Sequence, residues 1–166
     1  MKVKKKGFTL VEIIVVVSSV GVIMMIVVGT ILQTMKAQNR NDALSRLADE
    51  GNWILGELRR NIFNSNGKIT CRDGNLSVGL TSLYDGTETV LSCETLTNNR
   101  IASTSGSIVR TLNATDINVI NCVNFAICET TPDSDVSGVT FNFAIGTTVS
   151  GVGASQSFST TLTVRN

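Results

Sequence analysis

Glu12 is the only ionisable side chain in a run of 24 residues, from Phe8 to Ile31, that is otherwise apolar or weakly polar. As a single α-helix this run would be about 36 Å long, which is enough to cross the hydrocarbon core of a bilayer. An ionised side chain at mid-depth in such a helix costs about 2.5–3.5 kcal/mol, and less near the interface. We therefore predict that Glu12 is functional and that it has a cationic partner.

A short basic leader precedes the apolar run, with lysines at positions 2, 4, 5 and 6 followed by Gly7. These lysines match the excess of positive charge found on the cytoplasmic side of membrane segments. An ordinary secretory signal has an apolar core of about 7–15 residues and then a small-x-small cleavage site. Here the core is longer, and residues 31–35 (ILQTM) contain no such site. A plain membrane anchor explains the length and the lysines but not Glu12.

The leader, Gly7 and the sequence FTLVE of residues 8–12 together resemble the class III signal of type IV pilins and type II secretion pseudopilins. In that family a prepilin peptidase cleaves after the glycine and methylates the new N-terminal residue. The resemblance implies cleavage between Gly7 and Phe8, with N-methylated Phe8 as the mature start. It also implies that Glu12 of one subunit pairs with the Phe8 amine of another, which sets the axial register of a filament.

The same resemblance implies partners and a location. The partners would be the prepilin peptidase, other pilin subunits contacted through the helix, an assembly platform and the inner membrane. The chain would begin as a single-pass protein of the inner (cytoplasmic) membrane with a cytoplasmic N-terminus. It would then enter a pilus at the cell surface or a periplasmic pseudopilus. Residues 57–62 and 160–166 resemble minor pilins and J-type minor pseudopilins more than major pilins.

An amphipathic pattern continues the helix beyond the apolar run. Apolar residues recur at spacings of three, four and seven, with Gly51 filling one gap: Leu44, Leu47, Ile54, Leu58 and Ile62. The charged residues on the other faces are interpreted as solvated, with no binding role. The sequence NSNG at 64–67 predicts the end of the helix near Phe63. Residues 8–31 are thus predicted to form a transmembrane or filament-core helix, and residues 32–63 an amphipathic helix that enters the head.

Period-two alternation begins after residue 67 and predicts antiparallel strands at 76–80, 123–127, 139–145 and 158–164. The glycine- and serine-rich residues 146–157 are predicted to be a mobile hairpin loop. The expected fold class is α+β, with a long N-terminal helix packed on an antiparallel sheet, as in pilins. In this division residues 1–7 are the cleaved leader and residues 64–166 are the head.

All four cysteines, Cys71, Cys93, Cys122 and Cys128, lie in the head. An even number beyond a membrane segment predicts disulfides in an oxidising compartment. Nearest-neighbour pairing, Cys71–Cys93 and Cys122–Cys128, is the first interpretation. However, a straight strand over 122–128 would hold its ends about 20 Å apart, beyond disulfide reach. Either that segment turns, or Cys93 pairs with one of the two later cysteines. No metal is expected, because the closest pair is wider than a tetrathiolate spacing.

The composition disfavours catalysis and nucleic-acid binding. There is no histidine, which removes the commonest general base and metal ligand. No enzyme activity and no cofactor are expected. Two acidic pairs lack the spacing of a known calcium loop, Asp85 with Glu88 and Asp133 with Asp135. Matches to a glycosylation sequon at 75–77 and 113–115 are of a kind that is common by chance.

Removal of the leader leaves ten basic and thirteen acidic side chains, a net charge of −3, so no specific nucleic acid is expected as a partner. The favoured function is a filament subunit. The rival is a tip-located adhesin or DNA-uptake receptor on the same scaffold, which would need a basic or aromatic patch on the head. The basic residues of the head are scattered in sequence: Lys68, Arg72, Arg100, Arg110 and Arg165.

Overall fold

A computed structural model of the chain describes residue 7 and residues 9–82, 84–94, 99–130, 136–149 and 151–163. One helix, α1 (Leu10–Phe63), precedes the strands that the described residues form. The strands are β1 (Ser65–Arg72), β2 (Ser77–Ser82), β3 (Glu88–Glu94), β4 (Arg100–Ser105), β5 (Ile108–Thr111), β6 (Asn118–Asn121), β7 (Ala126–Thr130), β8 (Val136–Val149) and β9 (Val152–Thr163). The helix packs on antiparallel sheets, so the predicted α+β class is confirmed.

Two compact units divide the chain between Asn39 and Arg40, inside the span of α1. In the first unit every residue from Thr9 to Gln38 is exposed. In the second unit α1 has a stripe of buried residues: Ala43, Leu47, Gly51, Ile54, Leu58 and Ile62. This stripe confirms the predicted one except at its start, where Ala43 is buried and Leu44 is only half-buried.

The helix ends at Phe63, as predicted. The backbone N–H of Asn64 still donates to the carbonyl of Arg60, at 3.1 Å. The hydroxyl of Ser65 donates to the carbonyl of Ile62 at 2.7 Å, and so satisfies one of the carbonyls that a helix end leaves without a partner. Strand β1 begins at this serine.

The first sheet is a meander in which β1 to β5 pair in sequence order, all antiparallel. Ser77 to Leu80 of β2 are all buried, as expected of a strand that lies inside the sheet and under the helix. Ser105 pairs with Ile108 across a two-residue turn between β4 and β5. Gly106 in this turn has φ 58°, which glycine adopts without steric cost.

The second sheet is built around the long strand β8, with β9 on one side and β6 and β7 on the other. The prediction of a mobile loop over 146–157 is wrong. Pairing of β8 with β9 continues through it to Val149 and Val152, and Gly151, with φ 77°, lies in the connection. Threonine and valine favour strands, and the ladder satisfies the backbone groups that a loop would leave to water.

The other predicted strands are found with changed bounds, except over 123–127, where the prediction is wrong in its first half. The N–H of Phe125 donates to the carbonyl of Cys122 at 3.0 Å, and Asn124 has φ 56°. These residues form a turn, and the strand starts only at Ala126. The alternation of Val123 with Phe125 therefore reflects a turn whose phenylalanine enters the core rather than an extended segment.

The core lies between the buried stripe of α1 and the two sheets. Phe125 meets Phe141 edge-on, with ring centroids 5.4 Å apart, and Phe143 stacks on Phe158 at the same separation. The ring of Phe158 fills the place that a side chain at Gly51 would occupy. The glycine in the stripe is thus required by the close approach of an aromatic ring.

Both disulfides join the first sheet to the second. Cys71 of β1 is bonded to Cys128 of β7, with a Cα–Cα distance of 6.2 Å, and Cys93 of β3 is bonded to Cys122, with a distance of 5.7 Å. The nearest-neighbour pairing is therefore wrong, and Cys93 does bond to one of the two later cysteines. Residues 122–125 also turn, but the contact between the sheets, not the turn, decides the partners.

Candidate functional site

The start of α1 holds Glu12 in a reciprocal contact with Thr9. The carboxylate oxygen Oε2 of Glu12 accepts from the backbone N–H of Thr9 at 3.4 Å and from its hydroxyl at 3.5 Å. In return, the N–H of Glu12 donates to the Thr9 hydroxyl at 3.3 Å. This arrangement is a capping box, and it puts a negative charge at the positive end of the helix dipole.

The predicted cleavage site lies just before this box. Gly7 is exposed, and a side chain added there would meet no atom within 4 Å. Phe8 and the leader lysines lie outside the described residues. Cleavage between Gly7 and Phe8 and methylation of Phe8 therefore stay predictions.

The first part of α1 presents an apolar surface on every side. Its eighteen large apolar side chains between Leu10 and Met35 are exposed to between 43% at Val27 and 80% at Met25. In length and composition the helix can cross a membrane. A surface of this kind is stable in a bilayer or against other apolar helices, because water solvates it poorly.

Hydroxyl side chains within this surface donate to the backbone of the helix itself. The hydroxyls of Ser18, Ser19 and Thr30 each donate to the carbonyl three residues earlier, at 3.0, 2.8 and 2.8 Å, and that of Thr34 donates to the carbonyl of Thr30 at 2.8 Å. Such bonds hide hydroxyl donors from an apolar environment. Glu12 is then the only ionisable group between Thr9 and Met35.

The second part of α1 uses its charged flank to hold β5 and the segment that follows it. The contacts join Arg46 Nη2 to Asp116 Oδ2 at 2.8 Å, the Ala114 N–H to Glu50 Oε1 at 2.6 Å, and Arg110 Nη1 to Glu57 Oε1 at 3.4 Å. The interpretation of this face as merely solvated is therefore wrong for these residues. The spacing of 46, 50 and 57 already put the three on one flank, but nothing in the sequence named their partners.

Asn113 is a buried polar residue that the sequence pattern did not single out as structural. Its Oδ1 accepts from the N–H of Ile101 at 2.9 Å, and its Nδ2 donates to the carbonyls of Ile117 at 2.7 Å and Asn99 at 3.3 Å. The side chain is 9% exposed. Through these bonds the Asn113 side chain continues the hydrogen bonding of β4 past the end of β5. This structural role accounts for an asparagine at position 113 without glycosylation.

Asp85 and Glu88 are both exposed, and each is bonded to other residues of the head. Hydrogen bonds from the hydroxyl of Ser82 and from Thr87 lower the pKa of Asp85 below its ordinary value. Glu88 forms an ion pair with Arg72 at 2.7 Å. No three metal-binding side chains come together in the part of the chain that the structure describes. Asp133 and Asp135 lie outside it.

The basic residues of the head are largely neutralised by carboxylates. Arg72, Arg100 and Arg110 pair with Glu88, Glu94 and Glu57 respectively. Lys68 is exposed, and Arg165 lies outside the described residues. Because these arginines are already paired with carboxylates, they attract phosphate groups weakly.

Comparison of the chain with profiles of known protein families, with curated proteins and with solved structures gave no match.

Proposed function

We propose that the chain is a structural subunit of a type IV pilus or of a type II secretion pseudopilus, released from its leader by a prepilin peptidase. The observation that carries the proposal is the order of features at the N-terminus. Gly7 stands before a capping box that contains Glu12, and this box opens a helix with exposed apolar side chains on all sides. Gly7 marks the cleavage site, and the apolar helix holds the subunit first in the membrane and then in the filament. Glu12 sets the register of the subunit.

Hydrolysis of the Gly7–Phe8 peptide bond would remove the lysines and create an ammonium group at Phe8. An unpaired carboxylate among packed apolar helices is costly, and an ammonium from a neighbouring subunit relieves that cost. A subunit in the wrong axial position would leave both charges unpaired. The pair of Glu12 with Phe8 would therefore set the register of the filament.

The head suits a position outside the cytoplasm. Its two disulfides bridge the sheets, and disulfides persist in oxidising compartments. The chemical steps of assembly would belong to partners, namely the peptidase, an assembly ATPase and a platform protein in the inner membrane. Membership of the minor subunits stays a prediction of the sequence resemblance. The rival DNA receptor gains no support from the ion-paired arginines of the head.

Intact-mass and N-terminal mass spectrometry of the protein from membranes and from sheared filaments tests the proposal. The expected mature chain begins at N-methyl-Phe8 and is four hydrogens lighter than the reduced chain, because two disulfides form. It is expected in the sheared fraction as well as in membranes. A chain that still begins at Met1 would make this a signal-anchored surface protein and would refute the proposal.

A further inference from the structure

Among the described strands, β5 and β9 each pair with one strand only, and each lies at one end of its sheet. The first sheet ends in β5 and the second sheet ends in β9. The opposite ends of the sheets face each other, because β1 contacts β7 and β8, and β4 contacts β6. Within the described residues, β5 and β9 are thus the outer edges of the two sheets.

Alternation of the ladder shows which backbone groups of β9 point outward. A two-residue hairpin begins with a hydrogen-bonded pair, here Val149 with Val152, and then alternates. The N–H of Asn142 donates to Phe125, away from β9, so Asn142 and Ser159 form a non-hydrogen-bonded pair. The N–H and C=O of every second residue of β9 therefore face the open edge. These residues are Gly153, Ser155, Ser157, Ser159, Thr161 and Thr163.

This edge lacks the devices that prevent strand pairing. Exposed edges are usually short, bulged, charged or interrupted by proline. Strand β9 has 12 residues, contains no proline and no charged residue, and pairs with β8 without a bulge. All six outward-facing residues are exposed and have small side chains or none. Nothing on β9 itself hinders the approach of another strand.

The edge strand β5 carries apolar side chains that are exposed to solvent. All four of its residues are exposed, Ile108 to 72% and Val109 to 50%. The N–H of Leu112 donates to the carbonyl of Ile101, so the alternation directs the backbone groups of Val109 and Thr111 to the open side. Pairing along β5 would satisfy these groups and cover part of the apolar surface.

We propose that β9 of one subunit pairs with β5 of a second copy of this chain, which joins the sheets of adjacent heads. The inference rests on the proposed filament function with copies of this chain adjacent in the filament, and not on membership of the minor subunits. A polar filament needs a head-to-tail contact between two different surfaces of the same chain, and the two unlike edges provide them. Main-chain hydrogen bonds supply the affinity in this kind of strand addition.

Amide hydrogen exchange with residue-level fragmentation, on the mature chain in detergent and in sheared filaments, tests the pairing. We expect exchange in filaments to slow about tenfold or more at successive outward residues of β9 and, together with them, at Val109 and Thr111. Unchanged exchange at either strand would overturn the inference. Absence of the wild-type chain from filaments would instead refute the proposed function.

A pair of edge-blocking variants provides a second, independent measurement. Ser157→Lys with Ser159→Lys puts two charges on the open edge, where they prevent strand addition. Thr148→Lys is the control for a lysine on this face, because Thr148 is exposed on the same face but belongs to β8. The double variant is expected to fold, to be cleaved normally and to lose incorporation into filaments, whereas the control retains it. Equal incorporation of the two would also overturn the inference.

Discussion

Gly51 and Gly56 lie five residues apart in α1 and should respond to the same substitution in opposite ways. At Gly51 an added Cβ would overlap the outer ring atoms of Phe158. At Gly56, which is exposed, it would meet nothing within 4 Å. Alanine at either position gains about 1 kcal/mol of helix propensity over glycine. The difference between the two variants therefore isolates the collision with the ring.

The free-energy cost of this overlap depends on how firmly the ring of Phe158 is held. Phe158 is stacked on Phe143 with ring centroids 5.4 Å apart, so it cannot move aside without disturbing the core. Overpacking of this kind costs about 1–3 kcal/mol. Gly56→Ala is then expected to stabilise the head by about 1 kcal/mol. Gly51→Ala is expected to lie about 1–3 kcal/mol below it.

Urea unfolding of the oxidised mature chain in detergent measures both variants. Trp53 is the single tryptophan, and it lies on α1 two residues from Gly51, so its fluorescence reports whether this part of the helix is packed. With an m value of about 2 kcal/mol per molar urea, a difference of 2 kcal/mol separates the midpoints by about 1 M. The slopes should agree, because neither variant changes the surface exposed on unfolding.

A third variant identifies the ring as the cause. Phe158→Leu removes the overlapping atoms, so it should cost less in the Gly51→Ala background than in the wild type, which a double-mutant cycle detects. If Gly51→Ala raises the midpoint as much as Gly56→Ala does, the ring of Phe158 does not lie on Gly51. The packing of α1 on the second sheet would then differ from the one given above.

The remaining predictions concern processing, assembly and the head. Gly7→Asp should leave an uncleaved precursor that keeps its lysines, since the proposed peptidase cuts after glycine; a normal mature mass would contradict the cleavage assignment. Glu12→Val should be cleaved normally but enter filaments poorly, because it cannot pair with the new amine, and undiminished incorporation would remove its role in register. Replacing both cysteines of the β1–β7 disulfide with serine removes a cross-link between residues 57 positions apart. The free energy of unfolding, measured in urea, should fall by about 4 kcal/mol. Asn113→Ala should cost about 1–3 kcal/mol, because the N–H of Ile101 loses its acceptor; wild-type stability would show that water replaces the amide.

The helix was the most predictable element, for a physical reason. Burial on one side of a helix imposes a period near 3.6 residues, and the stripe through Leu47, Ile54 and Leu58 obeys it. Spacing alone puts Gly51 in the stripe. The ring that requires a glycine there comes from Phe158, more than a hundred residues later, and no local pattern shows such a contact.

The strands were predictable where alternation and extension coincide, and not elsewhere. Residues 139–145 alternate and are extended, whereas residues 122–125 begin an alternating run and turn. The composition of residues 146–157 is typical of a loop, but partners on two strands hold these residues in a ladder. Alternation describes which side chains are buried, and it does not distinguish a strand from a turn that also buries a phenylalanine.

Contacts between elements account for the other differences. The disulfide partners depend on how the two sheets meet, and sequence separation carries no information on that. The same holds for Glu50, whose acceptor role needs the N–H of Ala114 brought alongside the helix. The residues to which the proposal assigns cleavage and register form the opposite case. Gly7, Phe8 and Glu12 are close in sequence, so their pattern can be recognised without knowledge of the fold.

The capping box limits what Glu12 can do before assembly. Its bonds to Thr9 are 3.3 to 3.5 Å long, and a helix cap is worth about 0.5–2 kcal/mol. Near the membrane interface, where an ionised side chain costs little, the cap suffices to hold the carboxylate. Deep among apolar helices the cost rises to about 2.5–3.5 kcal/mol, which the cap does not offset. In the proposed filament the missing free energy must come from a second charge, and the Phe8 amine exists only after cleavage. Cleavage would therefore decide when Glu12 can leave the interface, and this ties assembly to processing.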